Sequence, residues 1–280
     1  MISSTIPNFV ERAQNWDFES NKVLANQIAD NLNRIKGEVD SDLDSSGDLN
    51  MDELLVQKIN QKAKIPNTVF DIFDDEIEVR GLDVYFVLDC SWSMSRAGNQ
   101  LREIASTIYE ALEKCDFIDF KTVCFSGAFN RELYVQRITS KDDLGMITAD
   151  RNNRGTCTDL ALNFVNQEIK SGFSETRKSL VILFTDGLPE DNLSFDQMQN
   201  SISEEIVKMK NGGISFFTLF YENMAYYKDA GYLGRAPEIK RQMEDIFKGS
   251  IYTTRNFEDI QKMLIRNLET SVENINQNSI

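Results

Sequence analysis

The chain has no histidine anywhere in its 280 residues. That excludes Ser-His-Asp and Cys-His nucleophilic machinery, along with every histidine-ligated zinc or iron centre. Cysteine is nearly as scarce. Cys90, Cys115, Cys124 and Cys157 stand at no metal-ligand spacing and form no C-x-x-C pair, which predicts reduced thiols and a cytoplasmic setting. Basic residues are in deficit, 30 against 45 acidic ones, and the resulting net charge of −15 would repel a phosphate backbone. Nucleic acid is therefore not an expected partner, whereas divalent cations and basic protein patches are. No window approaches a membrane span, and the opening stretch MISSTIPNFVERAQNW lacks an apolar segment of signal-peptide length. A G-x-x-x-x-G-K-[ST] phosphate loop is also missing, so the chain is not expected to be an ATP-driven motor.

What remains is an ordinary globular composition, 41% hydrophobic and 27% charged, long enough for one good core and a small appendage. Val84–Leu88 is a continuous β-branched and aromatic run, the pattern of a strand buried on both faces. Alternating segments follow: a helix over 98–114, strands at 120–125 and 132–138 paired as a hairpin, and a helix over 158–170. Then come a strand at 179–185, a helix over 195–210, a strand at 214–221, a helix over 237–247, a short strand at 250–253 and a closing helix over 256–270. Strands alternating with helices predict an α/β fold with a doubly wound, mostly parallel central sheet flanked by helices.

The expected organisation is a small helical N-terminal segment (1–40), an acidic linker and extended lead-in (41–80), the main domain (81–272) and a polar tail (273–280). Within the first segment, Val23, Leu24, Ile28, Leu32, Ile35 and Val39 recur at helical spacing, with Phe9, Trp16 and Phe18 ahead of them. These aromatics either pin the segment to the main domain or offer a surface to a partner. In DSDLDSSGDLNMDE, the spacing from Asp42 fits an EF-hand loop, in which Asp42, Asp44, Ser46, Asp48 and Glu53 would hold Ca²⁺ around Gly47. Its competitor is an acidic linker of turn-forming and helix-capping residues.

Three loops carry the chemistry, each at a strand end or a helix start. They are Asp89-x-Ser91-x-Ser93, then Arg154-Gly155-Thr156-Cys157-Thr158, then Thr185-Asp186-Gly187. In open α/β sheets, ligands bind outside the carboxyl ends of the strands, and oxygens of this kind suit a hard cation. Any one loop is a common cap or turn; the conjunction is specific. In this order, D-x-S-x-S, G-T-x-T followed by Ala161-Leu162, and T-D-G resemble the metal-ion-dependent adhesion site of von Willebrand factor A domains, over roughly residues 80–270.

The resemblance implies a metal site of Asp89, Ser91, Ser93, Thr156 and Asp186. The three hydroxyls would ligate Mg²⁺ (or Mn²⁺ or Ca²⁺), while the carboxylates act through bound water or as alternating direct ligands. Neutral hydroxyls leave such a cation electrophilic, so that it accepts an acidic side chain from a partner. Trp92 stands where these domains usually have a small residue. It either covers the helix start or forms an apolar lip on the partner-binding rim. The runs GDLNMDEL, NTVFDIFDDE, DGLPEDN and DIFKGSIYTTRNFEDI resemble one branch in particular, that of the cobalt-chelatase subunit CobT and the nitric-oxide-reductase activation protein NorD. That resemblance implies a non-enzymatic adaptor of a MoxR- or CobS-type AAA+ ATPase, in metal chelation or in activating a target complex. A calcium-regulated interaction protein is the alternative. An Mg²⁺-dependent phosphatase of the haloacid-dehalogenase type is a weaker one, because Ser91 stands where its general acid would be an aspartate.

Overall fold

The computed structural model describes residues 21–46, 81–96, 98–127, 131–139, 143–144, 155–174, 176–187 and 193–277. The strands are β1 (Gly81–Asp89), β2 (Ile118–Gly127), β3 (Leu133–Ile138), β4 (Arg177–Thr185), β5 (Ser215–Tyr221) and β6 (Ile251–Thr254). The helices are α1 (Lys22–Ser46), α2 (Gly98–Leu112), α3 (Thr158–Ser171), α4 (Phe195–Asn211), α5 (Met224–Asp229), α6 (Ala236–Ile246) and α7 (Phe257–Gln277). Short 3₁₀ turns cover Trp92–Arg96 and Leu233–Arg235.

One six-stranded sheet has the order β3-β2-β1-β4-β5-β6. All neighbours are parallel except β3, which returns antiparallel beside β2 as the expected hairpin. β1 lies in the middle, and its residues from Val84 to Asp89 are all buried. A strand covered on both faces has no use for polar alternation, and this explains the unbroken apolar run. Val84, Phe86 and Leu88 point into a cluster with α1, α2 and α7, whereas Tyr85 and Val87 point into one with α3, α4 and α6. Among the described residues, no helix is long and apolar enough to cross a membrane.

α1 belongs to the first of these clusters. Ala25, Ile28, Ala29 and Leu32 are at most 1% exposed, and Leu24 and Ile35 pack partly against the same core. Val23, expected on the apolar stripe, is 70% exposed instead. The buried face runs through Ala25 and Ala29, small residues that let the helix backbone approach and that a search for bulky residues passes over. Asn21 begins the helix: its side chain accepts from the Leu24 N–H (3.1 Å), and its own N–H donates to Thr107 on α2 (3.1 Å). Lys114 Nζ then donates to Asn26 (2.6 Å) and Asn33 Nδ2 to the Lys114 carbonyl (3.1 Å). Phe9, Trp16 and Phe18 lie outside the described residues.

α1 continues past residue 40 to Ser46, and α7 past 272 to Gln277. The backbone at Asp42, Asp44 and Ser46 belongs to this helix. Asp48 and Glu53 lie outside the described residues.

Candidate metal centre

β1 and β4 end side by side, Leu88 paired with Phe184, so the next residues of both strands meet at one edge. Thr185 Oγ1 donates to Asp89 Oδ2 at 2.7 Å, and the Ser91 N–H donates to Asp89 Oδ1 at 2.9 Å. Ser91 Oγ lies 3.1 Å from Ser93 Oγ, which donates to Asp186 Oδ1 at 2.5 Å. Four of the five residues expected at the site thus form one hydrogen-bonded chain. Asp89, Ser91 and Asp186 are at most 4% exposed.

The fifth, Thr156, stands outside that chain but on the same edge. The loop that carries it is tied to the end of β2 by reciprocal backbone hydrogen bonds between Gly127 and Gly155 (2.9 and 3.0 Å). Any side chain at Gly127 would meet Cys157 Sγ at 2.5 Å, so glycine is required for this close approach. β2 neighbours β1, with Asp89 opposite Phe125, and Thr156 is 6% exposed. Arg154 lies outside the described residues.

Two residues that sequence reasoning passed over complete the edge. Asn223 Nδ2 donates to Asp186 Oδ2 (2.7 Å) and to the Ser93 carbonyl (3.1 Å), and Tyr227 OH donates to the Asp186 carbonyl (3.0 Å). Asn223 follows β5 and also caps α5, accepting from the Tyr226 N–H at 3.1 Å. Beside it, the buried Glu222 is held by Arg255 (2.8 Å) and Lys240 (3.6 Å). An asparagine after a strand reads as a helix cap. Its place outside the carboxyl end of the strand next to β4 was the available signal.

The electrostatics of the Asp89–Asp186 pair leave its negative charge uncompensated among the described residues. Burial raises the pKa of Asp89, with hydrogen bonds from Thr185 and Ser91 acting in the opposite direction. Burial, then the nearby Asp89 charge, pushes Asp186 up to about 7 against hydrogen bonds from Ser93 and Asn223. Among the described residues no lysine or arginine pairs with either carboxylate. Two buried carboxyl groups this close cannot both ionise without a compensating positive charge. The donors are all hard oxygens, which fits Mg²⁺ or Mn²⁺.

The thiols do not compete for this role. All four cysteines are buried and outside any disulfide, and Cys90 is held well above the ordinary thiol range by its hydrogen bond with Cys124 and by burial. Cys90 and Cys157 are packing residues on opposite faces of the sheet. Trp92 is 44% exposed and meets Tyr226 edge-on, ring centroids 6.1 Å apart.

A second cluster braces the Thr156 loop from behind. Asp159, in the first turn of α3 and 6% exposed, accepts from Arg131 (2.6 Å) and Ser201 on α4 (2.7 Å) through the same oxygen. Arg131 adopts φ 62°, a left-handed conformation that glycine takes without penalty. Arg131→Gly would relieve that strain yet leave Asp159 short of its cation. The expected net loss is about 2 kcal/mol of stability in chemical denaturation; a variant as stable as wild type would show that the ion pair does not brace the loop.

Residues 83–265 match the family model of the von Willebrand factor type A domain. No curated protein sequence matches the chain. Among solved structures it is similar to proximal thread matrix protein 1 from the mussel byssus, at 16% identity and TM-score 0.43 over 70% of this chain and 47% of that one. It therefore spans about half the length of that protein. The manganese-loaded TRAP protein of Plasmodium vivax is similar at 16% identity and TM-score 0.42, over 66% of this chain and 72% of that one. The von Willebrand factor domain of the type V pili tip protein Mfa5 from Porphyromonas gingivalis is similar at 12% identity and TM-score 0.43, over 68% and 97%. The family match takes in well over half of the sequence, and its boundaries enclose every residue of the edge just described: the chain belongs to the von Willebrand factor type A domain family.

Proposed function

We propose that the chain is a divalent-cation-dependent protein-binding module without catalytic activity of its own. Asp89, Ser91, Ser93, Thr156 and Asp186 would hold Mg²⁺ or Mn²⁺. Bound there, the ion would supply an electrophilic position for a carboxylate from a partner protein. The observation that carries this reading is the buried Asp89–Asp186 pair, which is linked through the Ser91 N–H and the Ser91 and Ser93 hydroxyls and has no basic side chain paired to it among the described residues. A catalytic carboxylate needs a reacting atom and a proton path; these carboxylates are enclosed by hydrogen bonds from Ser91, Thr185, Ser93 and Asn223.

The finer reading rests on the sequence resemblance to the CobT and NorD branch. It makes the partner a MoxR- or CobS-type AAA+ ATPase in the cytoplasm, with this chain as the adaptor that presents a target to it. Affinity capture from a lysate of the source cells, with Mg²⁺ and with EDTA, tests both levels. The expected result is an AAA+ ATPase or its target retained in Mg²⁺ and released by EDTA. Thr156→Ala should lose that retention with an unchanged melting temperature in the absence of metal. Capture that persists in EDTA would overturn the metal-bridged contact.

A further inference from the structure

Beside this edge lies a row of aromatic side chains with no role in holding the carboxylates. Trp92 stands between Ser91 and Ser93 and meets Tyr226 at 6.1 Å; Tyr226 meets Tyr232 edge-on at 6.5 Å. Tyr232 and Leu233 are 37% and 49% exposed, and the Arg235 guanidinium lies 5.8 Å from the Tyr232 ring centroid. Tyr226 is carried by the helix that Asn223 caps, and the same Asn223 holds Asp186. Ledge and carboxylate pair are thus parts of one rigid piece.

Other exposed apolar residues lie on separate elements, Val23 on α1, Phe173 just after α3 and Val207 on α4, and single exposed apolar residues need no explanation. A contiguous strip of Trp, Tyr and Leu with an arginine is different, because aromatic and arginine residues dominate the energetics of protein interfaces. Charge favours one kind of visitor. The whole chain has 30 basic residues against 45 acidic ones, but Glu222–Arg255 has six (Lys228, Arg235, Lys240, Arg241, Lys248, Arg255) against five. An acidic segment repelled by the chain as a whole meets no excess of acidic residues in this stretch of sequence, and Arg235 is the cation seated against the Tyr232 ring itself.

We propose that the ledge of Trp92, Tyr226, Tyr232 and Leu233 seats an apolar side chain from the same partner segment whose carboxylate goes to the metal. The occupant is an extended acidic peptide with an aromatic or large aliphatic residue a few positions from its Asp or Glu. This rests on the metal-dependent reading above and adds a second point of contact to it.

The test is selection of a random displayed-peptide library on the full chain in Mg²⁺, eluted with EDTA. The expected pool pairs an acidic residue with a nearby Trp, Phe, Leu or Met. A synthetic peptide from that pool should bind Trp92→Ala and Tyr232→Ser about tenfold more weakly, or about 1.4 kcal/mol, while Mg²⁺ alone titrates into both variants as into wild type. Tyr232→Ser keeps the test valid should Trp92→Ala disturb the serines beside it. A pool with acidic residues but no apolar preference, or peptide affinity unchanged in Tyr232→Ser, overturns the ledge and leaves the metal site standing. A chain that takes up no Mg²⁺ overturns the metal reading and the ledge with it.

Discussion

Asp186→Asn is expected to make the metal-free protein more stable at pH 8 and to abolish its stabilisation by Mg²⁺. The first effect follows from the raised pKa. Asp186 in the fold keeps its proton up to about pH 7, against 3.8 for the ordinary side chain. Between those values the folded state binds more protons than the unfolded one, so stability of the metal-free protein falls as pH rises from about 4 to about 7 and levels off above. The loss corresponds to roughly 4 kcal/mol at most. Asparagine carries no charge to desolvate and fits the same hydrogen bonds: its oxygen accepts from Asn223, and its NH₂ donates to Ser93 Oγ, which accepts as readily as it donates. The second effect follows from the proposed role. A cation at a hundred times its dissociation constant stabilises wild type by about 2.7 kcal/mol, and the variant lacks the charge to hold it. Melting temperatures of both proteins from pH 4 to 9, with EDTA and with Mg²⁺, measure all of this. A wild-type protein whose metal-free stability rises through that window would contradict the electrostatic account.

Leu32→Ala should cost about 3 kcal/mol, although residue 32 lies far outside the 83–265 segment matched to the family. Leu32 has no exposed surface and shares a cluster with Ile108 and Leu112 of α2, Cys115, and Leu268 and Val272 of α7. Removing its isobutyl group leaves a cavity between three helices that are each anchored elsewhere and cannot easily close it. By the same argument, a chain trimmed to begin at residue 81 exposes the apolar faces of α2 and α7 and should aggregate. Urea denaturation of Leu32→Ala beside Val23→Ala is the check. Val23 is 70% exposed, so its variant should lie within about 0.5 kcal/mol of wild type. Equal effects at the two positions would contradict the packing of α1.

The sheet was legible because its strands are buried on both faces. Unbroken runs such as Val84–Leu88 and Leu180–Phe184 admit few other readings, and the alternation with helices fixed the parallel class. The hairpin partner, expected at 132–138, is observed at Leu133–Ile138. The short elements were not legible: α5 and the turn at Leu233–Arg235 are too brief to show a period, and with them went Asn223 and Tyr227. In α1 the face was misjudged at Val23 because alanines did the packing. Within the site, Asp89, Ser91, Ser93 and Asp186 were readable as local motifs at strand ends. Asn223 reaches Asp186 from 37 residues away, and no local pattern announces such a bond.

Calorimetric titration of Mg²⁺ into the metal-free chain probes the carboxylate pair most directly. A single saturable site is expected, absent in Asp89→Asn and in Asp186→Asn and retained in Glu53→Gln. No uptake by wild type, or uptake unchanged by both aspartate substitutions, would mean that this edge of the sheet is not where a cation binds.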